Sequence, residues 1–189
     1  MEEGVSFASR LYFIMLALLL FSRSMDFLST WIATPNLVLE GNPLAKKLGW
    51  RLGILANLAL SFGLAFWPLP AIVICTTSVL VAARNFQSAW IMRSLGEISY
   101  RDWHVERFRQ THLGLYLLCL FGQSSLTATV GAAIIYFSPD ESRPIPLAIG
   151  LGIVAYAAAV LFYTLLSVWR MRRRSRYDAG ESHVFTDTK

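Results

Sequence analysis

Charged residues are scarce in this chain. Asp, Glu, Lys and Arg together make up 15% of its 189 residues, whereas apolar residues make up 55%. A soluble domain of this length would carry more charge and would interrupt its apolar runs sooner. Several of these runs approach the roughly 20 residues that a helix needs to cross a bilayer. The composition excludes an ordinary soluble domain and predicts a helical integral membrane protein.

Residue patterns with known chemistry are also missing. The sequence has no Cys-x-x-Cys pair, no His-Glu-x-x-His helix, no Gly-rich phosphate loop and no nucleophile elbow. Cys75 and Cys119 lie in different apolar runs, so we expect no disulfide between them. His104 and His112 are eight residues apart, which is not a chelating spacing, so we expect no metal site. The sequence assigns no catalytic residue and no cofactor.

Five apolar runs predict an all-α bundle of five transmembrane helices that form a single domain over residues 1–169. Pro35 ends the first helix, because the residue before a proline disfavours helix. Asn42 and Pro43 are typical of an N-cap and a first helical residue. The predicted spans are about 10–34, 43–67, 71–93, 113–137 and 145–169. A polar interfacial segment at 94–112 and a basic, then disordered, tail at 170–189 complete the prediction.

The basic residues predict an orientation for these spans. Five crossings would place only Arg10 and Arg143 on one side of the membrane. By the positive-inside rule, the N-terminus is expected outside and the C-terminus in the cytoplasm. Most of the basic residues flank apolar runs. This placement argues against nucleic-acid binding as the reason for the pI near 9.5. Twelve basic residues would share the other side: Lys46, Lys47, Arg51, Arg93, Arg101, Arg107, Arg109, Arg170, Arg172, Arg173, Arg174 and Arg176.

Polar residues within the spans predict a buried polar layer. At about 1.5 Å per residue from the outer helix ends, several of them reach one depth. We expect an ion pair between Asp26 and Arg84, with Arg23 as the alternative partner of Asp26, because an unpaired ion at this depth is costly. The layer either holds the helices in register or lines a cavity for an ion, headgroup or small solute. Its predicted members are Arg23, Asp26, Thr30, Arg84, Asn85 and Gln123.

The motif Glu40-Gly41-Asn42-Pro43 allows two interpretations. In the first, Gly41 permits the turn, Asn42 caps the second helix, and Glu40 lies near the positive end of its dipole. In the second, Glu40 folds back toward Asp26 as a second carboxylate, which would suit a divalent cation or acid–base chemistry.

Small residues predict where the helices approach one another. Ser124, Ala128 and Ala132 form one stripe on the fourth predicted span. Ala155 and Ala159 form another on the fifth.

The first fifty residues also resemble a family. An Asp-x3-Thr pair on the first helix, followed by Glu-x-Asn-Pro, is similar to a pattern in uncharacterised small prokaryotic multi-span membrane proteins. The matching residues are Asp26, Thr30, Glu40, Asn42 and Pro43. The resemblance implies a domain of unknown function in the prokaryotic inner (cytoplasmic) membrane and supplies no mechanism.

Two functions agree with these patterns. The first is a non-enzymatic accessory protein or complex subunit whose basic cytoplasmic face binds anionic lipids, a partner membrane protein or a second copy of the chain. The second is a membrane-embedded enzyme or carrier that uses Asp26 and Glu40 on a polar group entering from the cytoplasm. The basic face is predicted to comprise Arg101, Arg107, Arg109, Arg170, Arg172, Arg173 and Arg174.

Overall fold

The computed structural model describes residues 4–139 and 144–184, and side chains as far as residue 173. Within these ranges the chain is entirely α-helical, with no strand, as the sequence predicts. The described residues form six helices. They are α1 Arg10–Ala33, α2 Pro43–Leu64, α3 Pro68–Leu95, α4 Glu97–Gln110, α5 Leu113–Phe137 and α6 Pro144–Val184.

Four helices, rather than the five predicted, are long and apolar enough to cross a membrane. They are Arg10–Ala33, Pro68–Leu95, Leu113–Tyr136 and Pro144–Arg173. The exception is α2, which carries Lys46, Lys47 and Arg51 in its first turns. Because charged side chains lower the mean hydropathy of this helix, it does not qualify as a span by composition.

A kink also shortens the regular part of α2. Gly49 has φ 65° and ψ −172°, a conformation outside the helical region that glycine adopts without a steric penalty. The regular helix from residue 50 to Leu64 is about 22 Å long. This is less than the roughly 30 Å of a bilayer's hydrocarbon core.

The apolar helices pack in the order α1, α3, α6, α5, and α2 lies on the outer side of α1 and α3. Contacts along the whole length of α2 make it antiparallel to α1. Trp50 at its start donates through Nε1 to Pro35 O at 2.9 Å. Near its end, Phe62 O accepts from the Tyr12 hydroxyl at 3.4 Å. If α1 crosses the membrane, α2 therefore runs beside it in the opposite direction.

Glycines mark a close approach between α5 and α6. A Cβ atom at Gly131 on α5 would lie 2.7 Å from Gly150 O on α6, and one at Gly150 would lie 2.6 Å from Gly131 O. Of the predicted stripes, Ser124 is buried, but Ala132 and Ala155 are exposed. The prediction is wrong for these two alanines, because composition does not reveal which face of a helix meets its neighbour.

The predicted interfacial segment contains α4. Gly96, with φ 80° and ψ 151°, ends α3 and precedes α4 directly. Positive φ at this position permits an abrupt change of direction with no loop between the helices. At the other end of the chain, α6 extends past the predicted end at residue 169 to Val184. The side chains of Arg143, Arg174 and Arg176, which the predicted orientation counts, lie outside the described part of the chain.

Candidate functional site: a polar cluster between α1, α2 and α3

Arg23 is the centre of the polar contacts within the bundle. Its Nη1 lies 2.9 Å from Asp26 Oδ2, one turn along α1. The same nitrogen donates to Ser78 Oγ of α3 at 2.9 Å. Nε donates to Asn57 Oδ1 of α2 at 2.7 Å, and Nη2 donates to the same oxygen. These four residues, which we call the Arg23 cluster, join three helices through one guanidinium.

Surrounding side chains leave little of this ion pair accessible. The side chains of Arg23 and Asp26 are 28% and 17% exposed, respectively. Asn57 itself is fixed, because its Nδ2 donates to Gly53 O at 2.7 Å. A charge of limited exposure needs both a counter-charge and hydrogen-bond partners, and Arg23 has both. The guanidinium thereby links α1 to α2 and α3.

The structure corrects the predicted ion pair. Asp26 pairs with Arg23, the alternative partner, and the predicted pairing with Arg84 is wrong. Nη1 of Arg84 is buried and has no hydrogen-bond partner among the described residues. Arg84 instead lies close enough to Tyr116 of α5 for the two groups to interact electrostatically. Gln123 is exposed on α5, and within the described residues no hydrogen bond joins it to the Arg23 cluster.

Asn85 forms a second polar contact between α1 and α3. Its Nδ2 lies 3.2 Å from Thr30 Oγ1 and 3.3 Å from Ser29 Oγ. Ser29 is fully buried, and its hydroxyl donates to Asp26 O at 2.8 Å. The structure thus connects Thr30 and Asn85, as expected for members of one layer.

The Glu40 motif adopts the local geometry of the first interpretation. Asn42 caps α2, with its Oδ1 accepting from Leu44 N at 3.0 Å, and Pro43 is the first helical residue. Glu40 Oε1 accepts from Asn42 N at 2.7 Å. The carboxylates of Glu40 and Asp26 are near enough to repel each other, but no hydrogen bond joins them.

Glu97 is a site residue that the sequence analysis missed. Oε1 accepts from Asn36 N at 2.8 Å and from Asn36 Nδ2 at 2.9 Å. Oε2 accepts from Thr34 Oγ1 at 2.7 Å and from Val38 N at 3.0 Å. One carboxylate at the start of α4 therefore holds the loop between α1 and α2.

The electrostatics of Glu97 follow from these hydrogen bonds. Partial burial raises the pKa of the carboxyl, but donors from Asn36, Thr34 and Val38 favour the charged form, so the pKa lies below its ordinary value. A signal was present in the sequence, since Glu97 is the only acidic residue between Gly41 and Arg101. A lone acid directly after a glycine that ends a helix is a candidate for such a contact.

Exposed basic residues gather at one end of the bundle. Trp50 joins the start of α2 to the end of α1, and Glu97 joins the end of α3 to the same loop. At the opposite end α5 meets α6 through Gly131 and Gly150, so residues 170–173 of α6 return to the first end. We call this the basic end. Its exposed residues are Lys46, Lys47, Arg51, Arg93, Arg101, Arg107, Arg109, Arg170, Arg172 and Arg173.

No protein family, curated protein or solved structure matches the chain. The resemblance to a prokaryotic membrane family through Asp26, Thr30, Glu40, Asn42 and Pro43 stays a prediction. Two surface pockets lie near the basic end, with volumes of about 510 and 450 Å³. Neither is lined by Asp26 or Glu40. Within the described residues, no three His, Cys, Asp or Glu side chains are grouped closely enough to hold a metal ion.

Proposed function

We propose that this chain is a non-enzymatic membrane protein whose basic end binds anionic lipid at the cytoplasmic leaflet. The observation that carries the proposal is the gathering of ten exposed Lys and Arg residues at one end of an apolar bundle. Each basic residue near an anionic leaflet contributes about 1 kcal/mol to membrane attraction. Several together are enough to retain acidic lipids selectively.

The proposal includes five crossings, with the N-terminus outside and the C-terminus in the cytoplasm of a prokaryote. The antiparallel course of α2 along α1 supports the fifth crossing despite its composition. Arg51 lies near the start of α2, where a basic side chain extends toward the headgroups. Asn57 is deeper but is bonded to Arg23. Of the polar groups that make α2 less apolar, Arg51 thus lies near the headgroups and Asn57 is hydrogen-bonded to Arg23.

The Arg23 cluster has a structural role in this proposal. Asp26 is paired with Arg23, and Arg23 is bonded to Asn57 and Ser78. A carboxylate that serves as a base or a cation ligand must be open to its substrate. The alternative, an enzyme or carrier using Asp26 and Glu40, rests on the electrostatic proximity of the two groups. Because Glu40 bonds to the backbone of its own turn, the geometry favours the structural role.

Anionic lipid retention tests the proposed function. Arg107 and Arg109 are exposed on α4 and are changed together to Glu, with the α6 residues kept to preserve orientation. We expect severalfold less anionic lipid in native mass spectra of the gently solubilised protein. Arg10→Glu, at the opposite end, is the matched control. Unchanged retention in a correctly oriented protein would leave the basic residues a role in topology alone, and a co-purifying partner or second copy would replace lipid as the ligand.

The crossings are tested separately. A fluorescent protein fused to the C-terminus is expected to fluoresce in the cytoplasm, while a cysteine at Ser6 is expected to react with an impermeant reagent from outside. Termini on the same side would contradict five crossings.

A further inference from the structure

The outer side of α1 and α2 carries an apolar groove at the basic end. It is a shallow, open groove of about 450 Å³ with a mainly apolar lining. Trp31 is 52% exposed and Ile54 is 47% exposed, so the groove faces away from the helix bundle. The residues that line it are Phe27, Leu28, Trp31, Pro35, Trp50 and Ile54.

Contacts within the walls hold the groove open. Trp50 is fixed by the hydrogen bond from its Nε1 to Pro35 O at 2.9 Å. Its ring lies 6.1 Å from that of Phe27, measured between centroids. The Phe27 ring in turn lies over Gly53, a buried position without a side chain. Trp50 is thus bonded to the loop after α1, and Phe27 rests against Gly53 of α2, so two of the aromatic walls are held in place.

Exposed basic residues flank the groove residues Trp50 and Ile54 in the sequence. Arg51 is exposed and precedes Ile54 by three residues, so both lie on the same side of α2. Lys47 is exposed just before the kink at Gly49. Lys46 is less available, because its Nζ donates to Val38 O at 3.4 Å. An apolar groove with an exposed basic side chain on the same side of α2, and a second one in the preceding turn, is complementary to a lipid chain with a phosphate.

We propose that this groove binds a single anionic phospholipid, with an acyl chain along the aromatic walls and its phosphate on Arg51 and Lys47. The inference rests on the proposed membrane function and names a site distinct from the α4 surface used to test it. Tryptophan favours the membrane interface, where its ring is in apolar surroundings and its N–H remains bonded. Trp50 meets both conditions, since its N–H is satisfied by Pro35.

Tryptophan quenching tests the acyl-chain part of the site. A variant with Trp67, Trp90, Trp103 and Trp169 changed to Phe retains only the two groove tryptophans. The variant is placed in phosphatidylcholine bilayers that contain a minor share of phosphatidylglycerol, with bromine on the acyl chains of one lipid or the other. The brominated lipid makes up the same mole fraction of the bilayer in both samples. We expect brominated phosphatidylglycerol to quench the tryptophan fluorescence several times more strongly than brominated phosphatidylcholine. Equal quenching by the two lipids would overturn the proposal.

Arg51→Gln tests the phosphate part. Loss of one basic contact is expected to reduce the preference for phosphatidylglycerol about fivefold. Lys47→Gln should lower it further, whereas Arg10→Gln, at the far end, is the matched control and should leave it unchanged. An unchanged preference in Arg51→Gln would overturn the site.

A second measurement covers the case in which the four Phe substitutions prevent folding. Arg51→Gln in the otherwise unaltered chain should then lose one bound phosphatidylglycerol in native mass spectra, and retention of that lipid would overturn the site. The α4 variant distinguishes this inference from the proposed function. If the Arg107 and Arg109 variant retains its anionic lipid while Arg51→Gln loses it, lipid binding by the α4 surface is rejected and lipid binding by the groove is supported.

Discussion

Two arginines within the apolar helices have opposite surroundings. Arg23 has a counter-charge in Asp26 and neutral partners on α2 and α3. Arg84, on α3, has a buried Nη1 with no hydrogen-bond partner among the described residues. Both lie at similar depth by sequence position. The comparison teaches that depth alone does not pair charges in a bundle, because the direction in which each side chain leaves its helix decides which groups meet.

Helix rotation accounts for this difference. Ser78, which accepts from Arg23, and Asn85, which donates to Thr30, are seven residues apart on α3. Seven residues are close to two full turns, so both face α1. Arg84 is one residue out of this register and points about 120° away from Ser78. A charge in the same layer thus faces α5 instead of Asp26.

The largest expected effect is the loss of the partnered arginine. Arg23→Met should destabilise the protein by about 3–5 kcal/mol, because Asp26 is left without a counter-charge in a largely apolar environment. Thermal unfolding in detergent measures the change. Arg23→Met combined with Asp26→Leu should lose less than Arg23→Met alone, since no charge remains unpaired. Additive losses in the double variant would show that the two side chains do not interact.

Much of the fold follows from the sequence, and the reason is local. Apolar length predicts the four candidate spans, and Asn42-Pro43 predicts the start of α2, since both depend on neighbouring residues. Asp26 could be assigned to a buried pair, but not to the correct arginine, because the choice depends on helix rotation. Glu97 could not be assigned to its loop, because the contact with Thr34 spans 63 residues of sequence.

A second expected effect concerns Glu97, which is partnered as completely as Arg23 but lies outside the candidate spans. Glu97→Ala should cost about 1–3 kcal/mol, as hydrogen bonds to a charged group are lost. Protection of the Asn36 and Val38 amides against hydrogen exchange should fall, because both amides donate to this carboxylate. Asp102→Ala, on the exposed side of α4, is the matched control. Equal protection in the parent and in Glu97→Ala would contradict a role in holding the loop.

The same contact predicts a pH dependence. The folded-state pKa of Glu97 is depressed below the ordinary value of 4.5. The carboxylate's contribution is therefore fully present above that value and is lost as the pH falls through the lower folded-state pKa. Amide protection of the loop should decrease in this acidic window. Glu97→Gln should remove this step, and a step that persists in Glu97→Gln would assign the titration to another group.

The smallest expected effect belongs to Arg84, whose buried Nη1 lacks a hydrogen-bond partner within the described part of the chain. Arg84→Met should change the free energy of unfolding by no more than about 1 kcal/mol in either direction, because the substitution removes a buried donor that has no hydrogen-bond partner among the described residues. It makes the same chemical change as Arg23→Met and is measured by the same thermal unfolding, so each variant is the control for the other. Equal losses would mean that Arg84 also has a partner when the protein is in its membrane, such as a lipid phosphate or an acidic group of another chain. A near-neutral Arg84→Met beside a severe Arg23→Met would show that partners, not the burial of a guanidinium, determine what an intramembrane arginine contributes.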